Sequence, residues 1–233
     1  MKNKSQSVEY IERWHSDAFE NRAIAMKIFK DVKKNLKIMP HPFSGWRSIP
    51  NQKLQTIQIN EHGLRSRSLK KIKFKNNCLL LGGSTAWGFG ASSNEFTYSY
   101  LIEEIMNKKY GQEFNVINLS EQMHNSFEEM RTFISVADEL KPSLVICISG
   151  INDINASYRD TFKSNSLYHA WINYFLWGDK LGVIREKNIF INCLNCFDDY
   201  DETIYVDQNH VSDKGYQILS NKICSQIAKK YYS

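Results

Sequence analysis

The sequence predicts an α/β protein in which helices cover both faces of a parallel sheet. Short apolar runs that end in glycine or polar residues alternate with longer segments of helical periodicity, and this rhythm is typical of βαβ units. The chain has 233 residues, 42% of them hydrophobic, which suffices for a substantial core. Strands are predicted at 77–81, 114–119, 144–149 and 189–194, and helices at 96–108, 126–140 and 214–231.

The first part of the chain follows a different pattern. Apolar residues recur at steps of three and four over 8–36, which predicts a helix that Pro40, Pro42 and Gly45 terminate. A short strand is predicted over 55–60. We therefore expect a helical extension with a proline-rich turn over 1–54, followed by one α/β domain over 55–233.

Composition and charge limit the function classes. The net charge of +5 is too small to imply nucleic-acid binding, and no apolar run approaches the roughly 18 residues of a membrane span. The odd number of cysteines, five, and the polar first residues favour reduced thiols and a cytoplasmic location. Six basic residues and no acidic one lie between Arg65 and Lys75. We interpret this run as a solvated connector; the alternative is a rim that attracts an anionic substrate.

Polar residues follow the predicted strands at their carboxyl ends, where parallel sheets place their chemistry. Gly82, Gly83, Ser84 and Thr85 follow the first strand, 120–125 the second, and 150–153 the third. An Asp-Gln-Asn-His run at 207–210 precedes the last helix. Each of these patterns is common alone, and their order and their joint placement, at strand ends or just before the last helix, are what indicate a site.

These residue types suit nucleophilic catalysis. A serine hydroxyl needs a base within hydrogen-bond reach and donors for the oxyanion that develops. Ser84 can supply the hydroxyl and its own N–H, while Asn152 can supply a side-chain donor. His210 can take the proton of Ser84, and Asp207 can fix the tautomer of the imidazole.

The blocks LLGGSTAWGFG (80–90), GIND (150–153) and DQNHVSDKGY (207–216) together resemble the SGNH (GDSL-like) hydrolases in their GGST variant. The resemblance spans about residues 55–230. It implies a flavodoxin-like three-layer α/β/α fold and ester hydrolysis through an acyl-enzyme. It also implies Ser84 as nucleophile, His210 as base, Asp207 as its partner and Asn152 as an oxyanion donor.

The sequence departs from the family in two places. The family has a glycine after the second strand, whose N–H is the third oxyanion donor, whereas NLSEQM at 118–123 has none. Ser120 is the residue that best matches this glycine, so we expect the oxyanion hole to combine Ser84, Ser120 and Asn152. The stretch 153–207 is also short for the family.

Four further residues are candidates for substrate contact: Gly83, Thr85, His124 and Trp171. For His124 the sequence favours a solvent-facing loop position, and substrate contact is the alternative. Trp171 belongs to an aromatic group over 168–177, which favours core packing or a homo-oligomer contact; the alternative is a pocket wall for a sugar or an acyl chain. Cys193 and Cys196 have the spacing of a redox or half-zinc motif, but no second ligand pair stands nearby. We therefore expect no metal and no cofactor.

These observations favour a serine esterase that removes a short acyl group, acetyl above all, from a carbohydrate or similar small ester. The carbohydrate part is implied by the resemblance, because this variant is associated with surface-polysaccharide synthesis. Two alternatives stay open: an O-acyltransferase acting on a surface-polysaccharide sugar, and a catalytically weak sugar-binding relative.

Overall fold

A computed structural model describes residues 18–19, 21–42, 44–69, 76–111, 113–158, 196–201, 203–207 and 210–232. Its helices are α1 (Arg22–Lys30), α2 (Ser84–Trp87), α3 (Tyr98–Tyr110), α4 (Ser126–Leu140), α5 (Ile151–Tyr158) and α6 (Asp213–Tyr231). Its strands are β1 (Ile38–His41), β2 (Gly45–Ser48), β3 (Asn77–Gly82), β4 (Asn115–Asn118) and β5 (Leu144–Ile148).

The centre of the fold is a parallel sheet of order β4-β3-β5. All six residues of β3 are buried, and successive side chains point to opposite faces. Leu80 and its neighbours at alternate positions pack with α3 and α6 on one face, whereas Leu79 and Leu81 pack with α4 on the other. A layer of helices on each face of the sheet confirms the predicted α/β class.

The N-terminal helix begins later than its periodicity predicts. Asn21 is extended, with φ −159°, and its side chain accepts the N–H of Ile24, so α1 starts at Arg22. The last turn widens into a π-helical turn over Asp31–Asn35. The uninterrupted helix predicted over 8–36 is therefore wrong at Asn21, and residues 8–17 lie outside the described residues.

The chain after α1 differs from the prediction in two ways. The segment 55–60 is not a strand, because the backbone N–H and hydroxyl of Thr56 donate to the buried Asp31 carboxylate instead of to a sheet. The proline-rich turn is part of an antiparallel hairpin, β1–β2, in which Pro40 lies opposite Trp46.

Arg65 is fully buried, so the solvated connector predicted over 65–75 is wrong at its first residue. Its guanidinium donates to the carbonyls of Gly88 and Thr56 and to Asn94 Oδ1, and lies 4.8 Å from the Trp87 ring centroid. Burial lowers the pKa of Arg65 to about 10, so the group stays protonated at neutral pH. A charge that the sequence assigns to solvent thus lies inside the core.

Other predictions fall beyond what the structure describes. The fourth strand at 189–194 and the aromatic group at 168–177, including Trp171, lie outside the described residues. The domain boundary between residues 54 and 55 stays a prediction. Among the described helices, none is both long and apolar enough to cross a membrane.

We predict that Arg65→Met lowers the free energy of unfolding by about 3 kcal/mol, because buried carbonyls lose their donors. Urea denaturation followed by circular dichroism measures this change. Arg67→Met is the matched control: Arg67 is half exposed and pairs with Glu103 at 2.6 Å, and an ion pair with one solvent-exposed partner contributes about 1 kcal/mol. Equal losses in the two variants would contradict a structural role for the buried charge.

Candidate functional site

Ser84 follows the central strand directly, at the carboxyl edge of the sheet. The chain leaves β3 toward β4 on one side and later returns to β5 on the other, so this is the point where the strand order reverses. Open α/β sheets bind ligands at such points. Ser84 is half-buried and is the first residue of α2.

Gly82 and Gly83 allow the chain to pass close to β5 and Asn152 just before Ser84. A Cβ on Gly82, whose φ is +153°, would lie 2.3 Å from the Ile148 carbonyl oxygen of β5. A Cβ on Gly83 would lie 2.5 Å from Asn152 Nδ2 and 3.1 Å from the His124 carbonyl oxygen. Larger residues would push these groups away from Ser84, so Gly83 shapes the site by its lack of a side chain.

The segment that carries His210 approaches from the other end of the chain. A Cβ on Gly90 would lie 2.2 Å from the Val211 carbonyl oxygen, so the loop after α2 and the residue after His210 meet backbone to backbone. Tyr216 of α6 donates its hydroxyl to the Thr85 carbonyl at 3.0 Å. Thr85 therefore contacts Tyr216 through its main-chain carbonyl, and this contact is structural.

Ser84, His210 and Asp207 form a continuous hydrogen-bonded chain. Ser84 Oγ lies 2.6 Å from His210 Nε2, and His210 Nδ1 lies 2.8 Å from each carboxylate oxygen of Asp207. Because the carboxylate only accepts, Nδ1 carries the proton and Nε2 is left to accept the proton of Ser84. The backbone N–H of His210 also donates to Asp207, at 2.9 Å.

Packing fixes the imidazole in this orientation. The Phe89 ring stacks on the His210 ring, with centroids 4.2 Å apart and planes 25° apart. His210 itself is only 9% exposed. The arrangement can therefore remove a proton from Ser84 without reorganising the base.

Asn152 lies beside this serine, near the start of α5. Its Nδ2 donates to the His124 carbonyl at 2.7 Å and keeps a second hydrogen for another acceptor. The neighbouring Asp153 is buried and accepts from the Ser126 hydroxyl at 2.5 Å, which ties the start of α5 to the start of α4. Asn152 is thus held by its own hydrogen bond to His124 and by the hydrogen bond between its neighbour Asp153 and Ser126.

Ser120 does not offer a free donor at this site. Its N–H donates to Asn118 Oδ1 at 3.1 Å, and its hydroxyl donates to the Leu80 carbonyl at 3.3 Å. Ser120 is also buried, at 3% exposure. The geometry therefore does not favour the expected role of Ser120 as an oxyanion donor.

Met123, three residues after Ser120, has an unusual backbone conformation. It adopts a left-handed conformation, φ +60°, and its side chain is 71% exposed. The N–H groups of Gln122 and His124 are bound within the turn, whereas that of Met123 has no partner among the described residues. A methionine gives no sequence signal for positive φ, so the sequence analysis missed this residue.

His124 is buried, at 2% exposure, so a solvent-facing position is wrong. Its Nε2 lies 3.3 Å from the Trp46 carbonyl oxygen and must donate the proton there, because a carbonyl only accepts. Burial lowers the pKa of His124 to about 4. The part of His124 that reaches the site is its carbonyl, bound by Asn152.

The lowered pKa predicts a pH-dependent stability. Above pH 6.5 His124 is neutral in both the folded and the unfolded protein. As the pH falls toward 4, His124 is protonated first in the unfolded chain, so the folded protein loses stability. Between pH 7 and 4, we expect the free energy of unfolding to fall by about 3 kcal/mol more in the wild type than in His124→Gln. Urea titrations across this range measure the difference, and parallel curves would contradict it.

Comparison with known proteins adds evidence on the fold. No protein-family profile and no curated protein matches the sequence. Among solved structures, the chain is similar to a protein from Parabacteroides merdae that carries the name GDSL-like lipase, with a TM-score of 0.50 and 13% sequence identity. The match covers 65% of this chain and 95% of that one. At this identity the likeness shows a shared α/β fold.

Proposed function

We propose that the protein is a serine ester hydrolase of the SGNH (GDSL-like) type, acting through an acyl-enzyme. The observation that carries this proposal is the chain of contacts from Ser84 Oγ to His210 and Asp207, with heavy-atom distances of 2.6–2.8 Å. The similarity in fold to a protein named as a GDSL-like lipase supports it. A purely sugar-binding protein would not need a histidine oriented in this way.

The reaction follows from these contacts. Ser84 Oγ attacks the ester carbonyl while His210 Nε2 takes its proton, and Asp207 stabilises the imidazolium that forms. His210 then returns the proton to the leaving alcohol as the tetrahedral intermediate collapses to the acyl-enzyme. Water attacks next, activated by the same nitrogen, and releases the carboxylic acid.

Three donors are available to the oxyanion in this proposal: the Ser84 N–H, the second hydrogen of Asn152 Nδ2 and the Met123 N–H. The Ser84 and Met123 amides have no partner among the described residues, and Asn152 Nδ2 lies against Gly83. Met123 takes the place expected for Ser120. Donors fixed before the reaction lower its barrier because they need no rearrangement when charge develops.

The substrate that we propose is a short acyl ester of a carbohydrate or similar small molecule, acetyl above all. The resemblance of the GGST, GIND and DQNH blocks to the variant associated with surface polysaccharides supports this choice. The cytoplasmic location and any homo-oligomer stay predictions.

We predict that the wild type hydrolyses p-nitrophenyl acetate and that Ser84→Ala removes this activity, because no acyl-enzyme can form. Release of p-nitrophenol measures the rate, and a panel of longer acyl chains should be turned over more slowly. Ser93→Ala, a nearby serine, is the matched control and should keep the activity. If wild type and Ser84→Ala hydrolyse acyl esters and acetylated sugars equally, the proposal fails; acyl transfer to an added sugar in place of acid release would favour the acyltransferase.

Asn152→Ala should lower kcat by about 10²–10³-fold with little change in KM, because it removes a donor that acts on the oxyanion. Steady-state kinetics with p-nitrophenyl acetate measure both constants. Asn221→Ala, on the exposed side of α6, is the control. An unchanged kcat in Asn152→Ala would mean that the oxyanion is stabilised elsewhere.

A further inference from the structure

The β1–β2 hairpin, part of the N-terminal extension, packs against the turn 121–124. Trp46 makes two hydrogen bonds to this turn: its Nε1–H donates to the Gln122 carbonyl at 2.8 Å, and its carbonyl accepts from His124 Nε2 at 3.3 Å. The Trp46 and His124 rings also meet edge to face, with centroids 5.3 Å apart. One hairpin residue thus holds the turn on both sides of Met123.

A second residue of the same strand fixes the start of the turn. The backbone N–H and the hydroxyl of Ser48 each donate to Glu121 Oε2 at 2.8 Å, and the other carboxylate oxygen accepts the N–H of Gln122 at 3.0 Å. Glu121 is 3% exposed. Since a buried carboxylate keeps its hydrogen bonds away from competing water, these contacts constrain the turn strongly.

Met123 needs contacts of this kind to keep its backbone in the left-handed conformation. A residue with a Cβ disfavours the left-handed conformation by roughly tenfold, and only glycine adopts it freely. Met123 is exposed, so its own side chain does not anchor the conformation. The contacts that hold its backbone conformation come from two hairpin residues. Trp46 binds Gln122 and His124, and Ser48 binds Glu121.

The same turn reaches the other proposed donor. The His124 carbonyl accepts from Asn152 Nδ2 at 2.7 Å and lies 3.1 Å from the position of a Cβ on Gly83. A shift of the turn therefore moves both the Met123 N–H and the amide of Asn152 relative to Ser84.

We infer that the β1–β2 hairpin is a positioning element for catalysis: Trp46 and Ser48 hold the turn 121–124 so that Met123 stays left-handed and keeps its N–H available to the oxyanion. Trp46 is a positioning residue that acts through Met123. This role rests on the proposed esterase function.

The test is Trp46→Phe, which removes the indole N–H and keeps an aromatic ring against His124. Because the loss acts in the transition state, kcat for p-nitrophenyl acetate should fall about tenfold while KM changes little. Ser48→Ala, which removes one donor to Glu121, should lower kcat in the same direction. It keeps the inference testable if Trp46→Phe folds poorly.

The decisive readout is the coupling to residue 123. Glycine holds the left-handed conformation without help, so adding Trp46→Phe to the Met123→Gly variant should lower kcat less than about threefold relative to Met123→Gly alone. A merely structural role of Trp46 would give the same tenfold loss in both backgrounds. Asn221→Ala, on the exposed side of α6 and away from the hairpin, is the control and should leave kcat unchanged.

The outcomes separate the two proposals. Ser84-dependent hydrolysis with a wild-type kcat in Trp46→Phe and Ser48→Ala would overturn the positioning role and leave the esterase standing. An equal loss from Trp46→Phe in the wild-type and Met123→Gly backgrounds would also overturn it. Hydrolysis that does not depend on Ser84 would overturn the esterase itself.

Discussion

The buried guanidinium of Arg65 is the interaction on which the rest of the site depends. It binds the carbonyls of Gly88 and Ala91, which bracket the loop after Ser84 and α2, and the carbonyl of Thr56 from the preceding segment. That loop supplies Phe89, which stacks on His210, and Gly90, which meets Val211. The desolvation of this buried charge is offset by main-chain acceptors, and the charge thus fixes the surface on which Ser84 and the His210 segment meet.

The fold followed from the sequence where local pattern and burial agree. α4 occupies 126–140 as predicted, because its apolar stripe faces the sheet and Asn125 caps its start. β3 was equally clear, since a short apolar run that ends in two glycines is typical of a buried strand. The same reasoning placed Ser84 and Asn152 at one edge, because the carboxyl ends of parallel strands converge, whereas His210 was singled out by its position just before the last helix.

The features that the sequence did not reveal depend on distant contacts. Arg65 looks like one of six exposed basic residues until the carbonyls that bind it are known. The segment 55–60 has strand-like composition, yet the Asp31 carboxylate takes the N–H of Thr56. Met123 carries no mark of its left-handed backbone, and Ser120 was chosen because it best matches the glycine that the family has after the second strand. In each case tertiary contacts override the local preference.

The hydrogen bond between Ser84 and His210 joins residues 126 positions apart in the chain. During synthesis Ser84 therefore leaves the ribosome long before His210, and the serine hydroxyl of the nascent chain is no more reactive than any other. Only when α6 docks on α3 does the histidine reach it. If the proposed esterase function holds, a premature stop anywhere before residue 210 would consequently yield an inert polypeptide, because the proposed base would be missing.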